Sequence, residues 1–369
     1  MKIAHVVSTF SPQLGGMGTV CANEARSLAQ QGHEVTVFTL LYDSSVDYTE
    51  HDKKFPFKIV RLRPLIKIGD AGLVPQLFWK IGNNFNLVHL HYPFYGGAEW
   101  LSFLRVPLIV TYHMDAQLSG LKLYIQKLYD LVWPKFLFAR AKKILVVNTD
   151  FFNSIFLKYS NRAKVVEISN GIDIDIFKPE VPEWNELGLS DLKNKKIILF
   201  VGNFLPLKRL DILIEAVKLL DNKESVLLIV GDGHDRDKYK QLVQNLGIES
   251  RVYFVGSCYD AKKMARYYNI ATCVAVPSDY ESFSLVAVEA MACAKPLVLA
   301  DLPYFKNKFE EAYLFKKGSV QDLQHTLEKV LGMPEEQLKK IGEQEREKAV
   351  TYYSWKNHIN KLIELYERI

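Results

Sequence analysis

The chain has 369 residues and a net charge of +5, and 49% of its residues are apolar, which is enough to fill two hydrophobic cores. Four scattered cysteines exclude a disulfide framework or a cysteine-ligated zinc site, and we expect them to be buried, reduced thiols. Residues 1–2 lead directly into a short strand and no run of about eighteen apolar residues occurs, so we expect a cytoplasmic protein without a signal peptide or a membrane-spanning helix.

The first half alternates apolar runs with helical stretches, which is the pattern of a doubly wound parallel sheet. The predicted strands are residues 2–8, 34–40, 57–63, 87–91, 108–112, 144–148 and 165–169, and the predicted helices include residues 19–30, 121–140 and 150–159.

The excess positive charge lies in residues 1–180, which hold 20 Lys and Arg against 15 Asp and Glu. Residues 121–143 carry six basic residues and one acidic residue among aromatic ones. One interpretation is an interfacial helix that binds an anionic membrane, which would place the protein peripherally on the cytoplasmic face. The other is an ordinary amphipathic helix, broken near Pro134, with solvated lysines outside. Both stay open, and nucleic acid is not predicted because no binding motif accompanies the charge.

Residues 171–195 break the alternation with glycine, proline and mixed charges, and we interpret them as a linker. The sequence therefore predicts two Rossmann-like α/β domains, residues 1–170 and 196–351, facing one another across a cleft. In the second domain the predicted strands are residues 197–201, 226–230, 252–255, 273–276 and 297–299, and the predicted helices are residues 210–220, 237–246, 261–268 and 285–293.

Two glutamates lie in the stretch 277–301, which joins two predicted strands through a loop and a helix. Glu281 lies in the loop and Glu289 inside the helix, so the two carboxylates are not a stacked helical pair. A loop that follows a parallel strand and feeds a helix is where open α/β sheets bind anions. For an arbitrary pair of glutamates, solvated charges beside a helix would be the commoner explanation.

The residues around this pair resemble the E-x7-E motif of the retaining family 4 (group 1) glycosyltransferases, which have the GT-B fold. The resemblance spans nearly the whole chain. It implies a nucleotide-sugar donor domain at residues 196–351 and an acceptor domain at residues 1–170, on which a C-terminal helix of residues 352–369 packs back. The matching residues are Glu281-Ser282-Phe283-Ser284, Glu289-Ala290-Met291-Ala292, Lys295-Pro296 and Ala300.

The resemblance assigns a donor site whose catalytic members would be His113, Lys208 and Glu281. It places Glu289 on the ribose and Lys208 on the diphosphate, although Lys208 and Arg209 could otherwise be plain surface charges at a helix start. The implied donor-binding residues are Gly15, Gly16, Gly202, Asn203, Lys208, Arg209, Glu281, Phe283, Ser284, Leu285 and Glu289.

A glycine-rich loop, residues 15–18, follows the first predicted strand and lets bare backbone approach a phosphate. It fails the dinucleotide pattern G-x-G-x-x-G because Cys21 occupies the third glycine position. A lone histidine after a strand, such as His113, is usually structural, but the resemblance implies a place beside the transferred sugar. We predict Asp115, two residues further on, as an acceptor ligand.

Four residues depart from the family's pattern, and one of them is Thr272, which stands where an aspartate is usual. Asn203 stands where an arginine usually pairs with the lysine on the diphosphate, and losing one charge-assisted contact costs roughly 1.5 to 3 kcal/mol. Arg209 is the candidate to supply the missing charge. Ser284 and Ala294 stand where glycine is usual, and a side chain at 284 would crowd the phosphate.

We predict neither a metal nor a cofactor, because a metal would call for clustered carboxylates at a strand end. The pairs Asp173-x-Asp175 and Asp235-x-Asp237 lie in the linker and at a helix start, so capping explains both.

The sequence thus predicts a metal-independent retaining hexosyltransferase of cell-envelope glycan biosynthesis. It would transfer a sugar from a UDP- or GDP-linked donor to a hydroxyl of a lipid-linked acceptor or a growing glycan. Two alternatives stay open. One is a catalytically weak or silent nucleotide-sugar-binding protein on the same fold, motivated by Asn203 and Ser284, and the other is a sugar-nucleotide epimerase.

Overall fold

The computed structural model of the protein describes residues 1–13, 16–113, 121–148 and 161–369. The chain divides into two compact units, Met1–Ser169 with His358–Ile369 and Asn170–Asn357. Each unit is built around its own parallel sheet with helices on its faces. The doubly wound α/β architecture predicted from the alternating apolar runs is therefore confirmed in both units.

Seven parallel strands form the main sheet of the first unit. The strands of this unit, which also include a short pair outside the main sheet, are β1 (Lys2–Val6), β2 (Glu34–Leu40), β3 (Lys58–Leu62), β4 (Lys67–Ile68), β5 (Ala71–Gly72), β6 (Leu87–Tyr92), β7 (Leu108–Tyr112), β8 (Lys143–Val146) and β9 (Val165–Glu167). Their order in the sheet is β3-β2-β1-β6-β7-β8-β9, while β4 and β5 form a separate antiparallel hairpin. The order reverses between β1 and β6, and the carboxyl ends of strands at such a point are where open sheets bind ligands.

Apolar side chains cover both faces of this sheet, which explains why its strands are nearly continuous apolar runs. One face packs on residues of α3, α4 and α5 and the other on residues of α1 and α14, which belongs to the first unit from His358 onward. The helices are α1 (Gly16–Gln30), α2 (Thr49–Asp52), α3 (Gln76–Ile81), α4 (Ala98–Leu101), α5 (Leu121–Arg140) and α14 (Trp355–Glu367).

Six parallel strands form the sheet of the second unit, in the order β12-β11-β10-β13-β14-β15. The strands are β10 (Lys196–Val201), β11 (Ser225–Val230), β12 (Val252–Gly256), β13 (Cys273–Val276), β14 (Leu297–Ala300) and β15 (Tyr313–Phe315). The helices are α6 (Trp184–Leu187), α7 (Leu210–Leu219), α8 (Arg236–Leu246), α9 (Ala261–Ile270), α10 (Leu285–Ala292), α11 (Pro303–Lys308), α12 (Val320–Leu331) and α13 (Glu335–Tyr353). The strand order reverses between β10 and β13. The loops after these two strands therefore lie where open sheets bind ligands.

Residues 171–195, predicted as a linker, are held against the second unit. Ile172 forms a β-bridge with Ser354, and the ring of Phe177 packs edge-on against Tyr268 with centroids 6.0 Å apart. The segment is therefore an integral part of the fold of this unit.

Some helices and strands of the structure were not predicted from the sequence. The short strand β15 and the helices α11, α12 and α13 were not predicted, and the predicted helix at residues 150–159 lies outside the described residues. The expectation of four buried thiols was wrong for Cys258, which is partly exposed because it lies in the loop after β12.

The two Asp-x-Asp pairs behave differently. The carboxylate of Asp173 accepts hydrogen bonds from the backbone N–H groups of Asp175 and Ile176, at 3.0 and 3.1 Å, as expected for a capping residue. Asp235 precedes α8, but its side chain accepts no hydrogen bond from the helix and lies 3.1 Å from Nδ1 of His234. The capping prediction is right for the first pair and wrong for the second.

The end of α10 explains one departure from the family's pattern. Ala294 has a positive φ of 55°, and its N–H donates to Met291 O at 2.8 Å. The next N–H, of Lys295, donates to Ala290 O at 3.0 Å, which completes a Schellman motif. Glycine suits this left-handed position because it has no Cβ, so Ala294 stores backbone strain.

We expect Ala294→Gly to raise the free energy of unfolding by roughly 0.5 to 1 kcal/mol, because it relieves that strain. Urea denaturation of the purified chain measures the change. Ala290→Gly, inside the same helix, serves as the control and should lower the stability by about 1 kcal/mol or more. A loss of stability in Ala294→Gly would contradict the assignment of strain.

Candidate active site

Glycines bring the loops after β10 and β11 into close contact. A Cβ at Gly231 would collide with the carbonyl oxygen of Gly202, and one at Gly233 would lie 2.8 Å from the backbone nitrogen of Phe204. Asn203 lies between these contacts and is exposed. The carboxyl edge of the sheet therefore presents main-chain groups and short side chains, which allow a ligand to approach closely.

Lys208 and Glu281 form an ion pair at this edge, with Nζ 2.7 Å from Oε1. The hydroxyl of Ser278 donates to the same oxygen at 2.8 Å. The N–H of Asp279 donates to Leu207 O at 2.8 Å and so joins the loop after β13 to the loop after β10. The Glu281 side chain is 8% exposed and the Lys208 side chain 26%. The carboxylate thus holds an ammonium group that a ligand can still reach.

Arg209, the neighbour of Lys208, is tied to two carboxylates. Its Nε lies 3.1 Å from Oδ1 of Asp211 and its Nη1 lies 3.2 Å from Oδ2 of Asp279. Its φ of 49° is in the left-handed region, which is strained for a non-glycine residue. A diphosphate would have to compete with both carboxylates for this guanidinium.

Ser284 caps the N-terminus of α10, since its Oγ accepts a hydrogen bond from the N–H of Ala287 at 3.3 Å. Its φ of −95° suits any residue, and the hydroxyl turns back onto the helix. Phe283 is buried just before the cap, and the helix begins at Leu285. The first N–H groups of a helix lack intrahelical acceptors and favour an anion, so this end of α10 is suited to a phosphate.

Glu289, on α10, accepts a hydrogen bond from the hydroxyl of Tyr268 at 2.7 Å. Most of its side chain is enclosed, and burial raises the pKa of Glu289 to about 7 although the bond from Tyr268 works against the shift. At neutral pH the carboxyl therefore changes readily between a protonated form and a carboxylate. The ribose hydroxyls of a nucleotide would donate to the carboxylate.

In the first unit, His113 follows β7, and its Nε2 lies 3.0 Å from Nδ1 of the buried His91. Its backbone N–H donates to Tyr92 O at 3.0 Å. Burial lowers the pKa of His113 to about 4, so the imidazole is neutral at pH 7. A neutral, partly exposed imidazole is suited to a hydrogen bond with a sugar hydroxyl.

The glycine-rich loop is only partly described. Gly16 opens α1, and a Cβ at Gly18 would lie 2.6 Å from the carbonyl oxygen of Thr9. Gly18 is therefore needed for the close packing of α1 against the segment after β1. Gly15 and Asp115 lie outside the described residues.

Within the second unit the structure brings Lys208 directly to Glu281, whereas Glu289 pairs with Tyr268 instead. Sequence reasoning missed Tyr268 and Ser278 as partners of the two glutamates, and nothing local in the sequence marks them. It also missed His91, whose signal was available because the strand 87–91 contains a His-x-His pair on one face.

Two family models match the chain. The model described as "Glycosyl transferases group 1" covers residues 188–348, and the model described as "Glycosyltransferase Family 4" covers residues 14–176. A D-inositol 3-phosphate glycosyltransferase from Segniliparus rotundus is 30% identical to this chain over 314 residues. That alignment covers 78% of this chain and 69% of the relative.

Solved structures resemble the whole chain. Sucrose-phosphate synthase from Thermosynechococcus elongatus has a TM-score of 0.82 at 22% identity, covering 100% of this chain and 98% of the other. Anabaena HepE in complex with UDP has a TM-score of 0.81 at 18% identity, covering 100% of both chains. At these identities the likeness shows the fold.

The pKa of Glu289 gives a pH dependence of stability. The unfolded chain ionises this carboxyl near its ordinary value of 4.5 and the folded chain near 7. Between these values only the unfolded state releases the proton, so the free energy of unfolding should fall as pH rises, by on the order of 2 to 3 kcal/mol. We expect Glu289→Gln to lose this part of the decrease, as measured by urea denaturation at pH 5 and pH 8.

The matched control is Glu343→Gln, because the side chain of Glu343 is 63% exposed. This variant should keep the wild-type decrease. Equal pH dependence in Glu289→Gln and the wild type would show that Glu289 titrates normally.

Proposed function

The chain belongs to the group 1, family 4 glycosyltransferases, and we propose that it is a retaining, metal-independent hexosyltransferase that uses a nucleotide-diphosphate sugar as its donor. Its likeness to solved glycosyltransferases along its full length confirms the predicted GT-B fold class. The observation that carries the proposal is the ion pair between Lys208 and Glu281 at the strand edge from which α10 begins.

The diphosphate of the donor binds Lys208 and the N-terminus of α10. Lys208 supplies a positive charge that is already oriented by Glu281, and the helix adds N–H donors and its dipole. These groups take the place that a divalent cation would occupy in a metal-dependent transferase. Asn203 is exposed at the same edge, where it offers an amide instead of the family's usual guanidinium.

Glu289 binds the ribose of the same nucleotide. Its carboxylate accepts from one hydroxyl already, that of Tyr268 at 2.7 Å, and has further acceptor capacity for the ribose. We assign uridine diphosphate as the nucleotide, and the support for this choice is the UDP in the structure of Anabaena HepE. Glu281 and the backbone from Phe283 to Leu285 bind the sugar and the phosphate next to it.

In the proposed reaction the bond between the sugar C1 and the diphosphate oxygen breaks, and C1 bonds to the acceptor oxygen on the same face. The acceptor proton passes to the departing phosphate oxygen, so no side chain has to act as a general base. The charge that grows on the diphosphate is stabilised by Lys208 and α10.

The acceptor is a lipid-linked one in our proposal, because the first unit carries a cavity lined mainly by apolar side chains. The cavity measures about 380 Å³. Its walls come from the β4–β5 hairpin, α4 and α5, and they include Ile66, Ile68, Trp100, Phe103 and Trp133. A hydrocarbon chain would be removed from water in such a cavity.

Exposed apolar residues lie close in sequence to the residues that line this cavity. Leu65, Trp79 and Phe136 are 70%, 63% and 61% exposed, and exposed basic residues such as Lys80 and Lys135 lie next to them in sequence. Among the described residues, no helix combines the length and the apolar character that a bilayer crossing requires. Aromatic side chains flanked by lysines favour a peripheral contact with an anionic membrane surface.

The donor site is tested by a thermal-shift screen of the wild type with UDP, GDP and ADP, with and without EDTA. UDP at about 100 times its dissociation constant should add roughly 2.7 kcal/mol of stability, and EDTA should leave this increment unchanged. We expect Lys208→Ala to weaken UDP binding by roughly 10- to 100-fold, because one charge-assisted contact is lost. Glu289→Ala should also weaken it.

Lys218→Ala is the matched control, since Lys218 lies exposed on the same helix, α7, that follows Lys208. It should bind UDP like the wild type. If no nucleotide stabilises the wild type, or if Lys208→Ala binds UDP equally well, the proposed donor site is wrong. An EDTA-sensitive UDP increment would contradict metal-independent donor binding.

The membrane contact is tested by cosedimentation with anionic phospholipid vesicles. We expect the wild type to bind at low salt and to be released at high salt, because screening weakens the attraction of lysines to lipid. Trp79→Ser and Phe136→Ser should reduce binding. Val181→Ser, which alters a residue that is 85% exposed in the second unit, should not. Absence of binding at low salt would count against a membrane-bound acceptor.

A further inference from the structure

A buried cluster of three histidines and one glutamate lies on one face of the sheet of the first unit. His5 on β1 and His89 on β6 are register partners, and His91 lies two residues further along β6, so all three imidazoles point to the same face. Glu24 reaches them from α1, which covers that face. The three histidines are 0% exposed and Glu24 is 1% exposed.

The glutamate oxygen at the centre of this cluster has no hydrogen-bond partner within the described parts of the chain. Oε2 of Glu24 lies 3.8 Å from Nδ1 of His5, 3.5 Å from Nδ1 of His89 and 3.6 Å from Nε2 of His91. These distances are too long for good hydrogen bonds. A buried carboxylate oxygen surrounded in this way is costly unless a positive charge compensates it.

We propose that Glu24, His5, His89 and His91 form a binding site for a divalent ion of the zinc class. The four ligand atoms all lie within 4.8 Å of one another, and Nδ1 of His5 lies 3.0 Å from Nε2 of His91. Ligand atoms arranged tetrahedrally at zinc bond lengths of about 2.0 to 2.1 Å are roughly 3.4 Å apart. The observed separations bracket this value, so small shifts would bring all four atoms onto one ion.

The outer contacts of His89 and His91 fit this role, whereas Nε2 of His5, its outer nitrogen, has no hydrogen-bond partner among the described residues. Nε2 of His89 lies 2.6 Å from Oγ1 of Thr111, and Nδ1 of His91 lies 3.0 Å from Nε2 of His113. If each ring donates its outer N–H to that partner, its inner nitrogen keeps a lone pair for the ion. Metal-binding histidines are usually oriented by such partners.

His358, on α14, holds the other oxygen of the carboxylate. Its Nε2 lies 3.0 Å from Oε1 of Glu24, and its Nδ1 donates to the carbonyl oxygen of Ser169 at 2.8 Å. This contact fixes the rotamer of the glutamate, so Oε2 stays directed at the three imidazoles. Oε1 of Glu24 is thus occupied by His358, and Oε2 is available for an ion.

One contact competes with the ion. The hydroxyl of Tyr366 lies 2.6 Å from Nδ1 of His89 and donates to it when no ion is bound. An ion would displace this bond or take the tyrosine oxygen as an additional ligand. The same cluster without an ion is a hydrogen-bonded network, and the experiment has to separate these two states.

The ligand set selects the class of ion. Three imidazole nitrogens and one carboxylate suit Zn²⁺, Co²⁺ or Ni²⁺, whereas Mg²⁺ and Ca²⁺ prefer oxygen ligands. Because the ligands are buried, the ion would join β1, β6 and α1 and would also fix the orientation of His113 through His91. The inference does not rest on the proposed transfer reaction, whose diphosphate-binding groups belong to the second unit.

The test is metal analysis of the untagged full chain, because a polyhistidine tag would bind the same ions. We expect about one zinc per chain by elemental analysis after growth with added Zn²⁺ and dialysis. After removal of the metal, Co²⁺ titration should give the intense visible absorption of a four-coordinate site. Glu24→Gln and His89→Gln should each weaken Co²⁺ binding roughly tenfold or more.

His234→Gln is the control, because its side chain is 98% exposed and lies outside the cluster. It should bind Co²⁺ like the wild type. If a cluster variant fails to fold, the wild-type stoichiometry decides alone. A wild-type chain that retains no zinc and shows only six-coordinate Co²⁺ absorption would overturn the proposal and leave the cluster as a hydrogen-bonded network.

Discussion

In a parallel sheet the carboxyl ends of all strands lie at the same edge. This constraint decides where the polar groups of each unit come together. In the second unit the loops after β10 and β13, neighbours in the sheet, bring Lys208 and Glu281 together although 73 residues separate them. The helix that follows the second of these loops, α10, adds its N-terminus to the same edge. The proximity of a cation, a carboxylate and a helix N-terminus is therefore a consequence of strand order.

Burial gives these polar groups their chemical character. The carboxylate of Glu281 is enclosed and accepts a hydrogen bond from Ser278, which fixes its position. The ammonium group of Lys208, which pairs with this carboxylate, is therefore held in place. Glu289 accepts a hydrogen bond from the hydroxyl of Tyr268 instead, and burial raises its pKa to about 7. The two glutamates of one motif thus lie in different surroundings, because Glu281 pairs with an ammonium group and Glu289 with a neutral hydroxyl.

The first unit shows the same principle inside its core. Helices α1 and α14 cover a sheet face that is apolar at its margins and polar at its centre, where Glu24 meets the histidines of β1 and β6. His113 lies at the edge of this polar group and is bonded to it through His91. The histidine that family resemblance assigns to the sugar is therefore supported from within the core.

Local patterns in the sequence determined much of this protein. Alternating apolar runs gave both sheets, and the order and spacing of Glu281, Glu289 and Lys208 indicated the family, because strand periodicity and motif spacing are properties of contiguous residues. Only the tertiary structure decided the partners: Tyr268 for Glu289, and His358, 334 residues away, for Glu24. Such pairs depend on which strands and helices become neighbours, and no local pattern of residues records that choice.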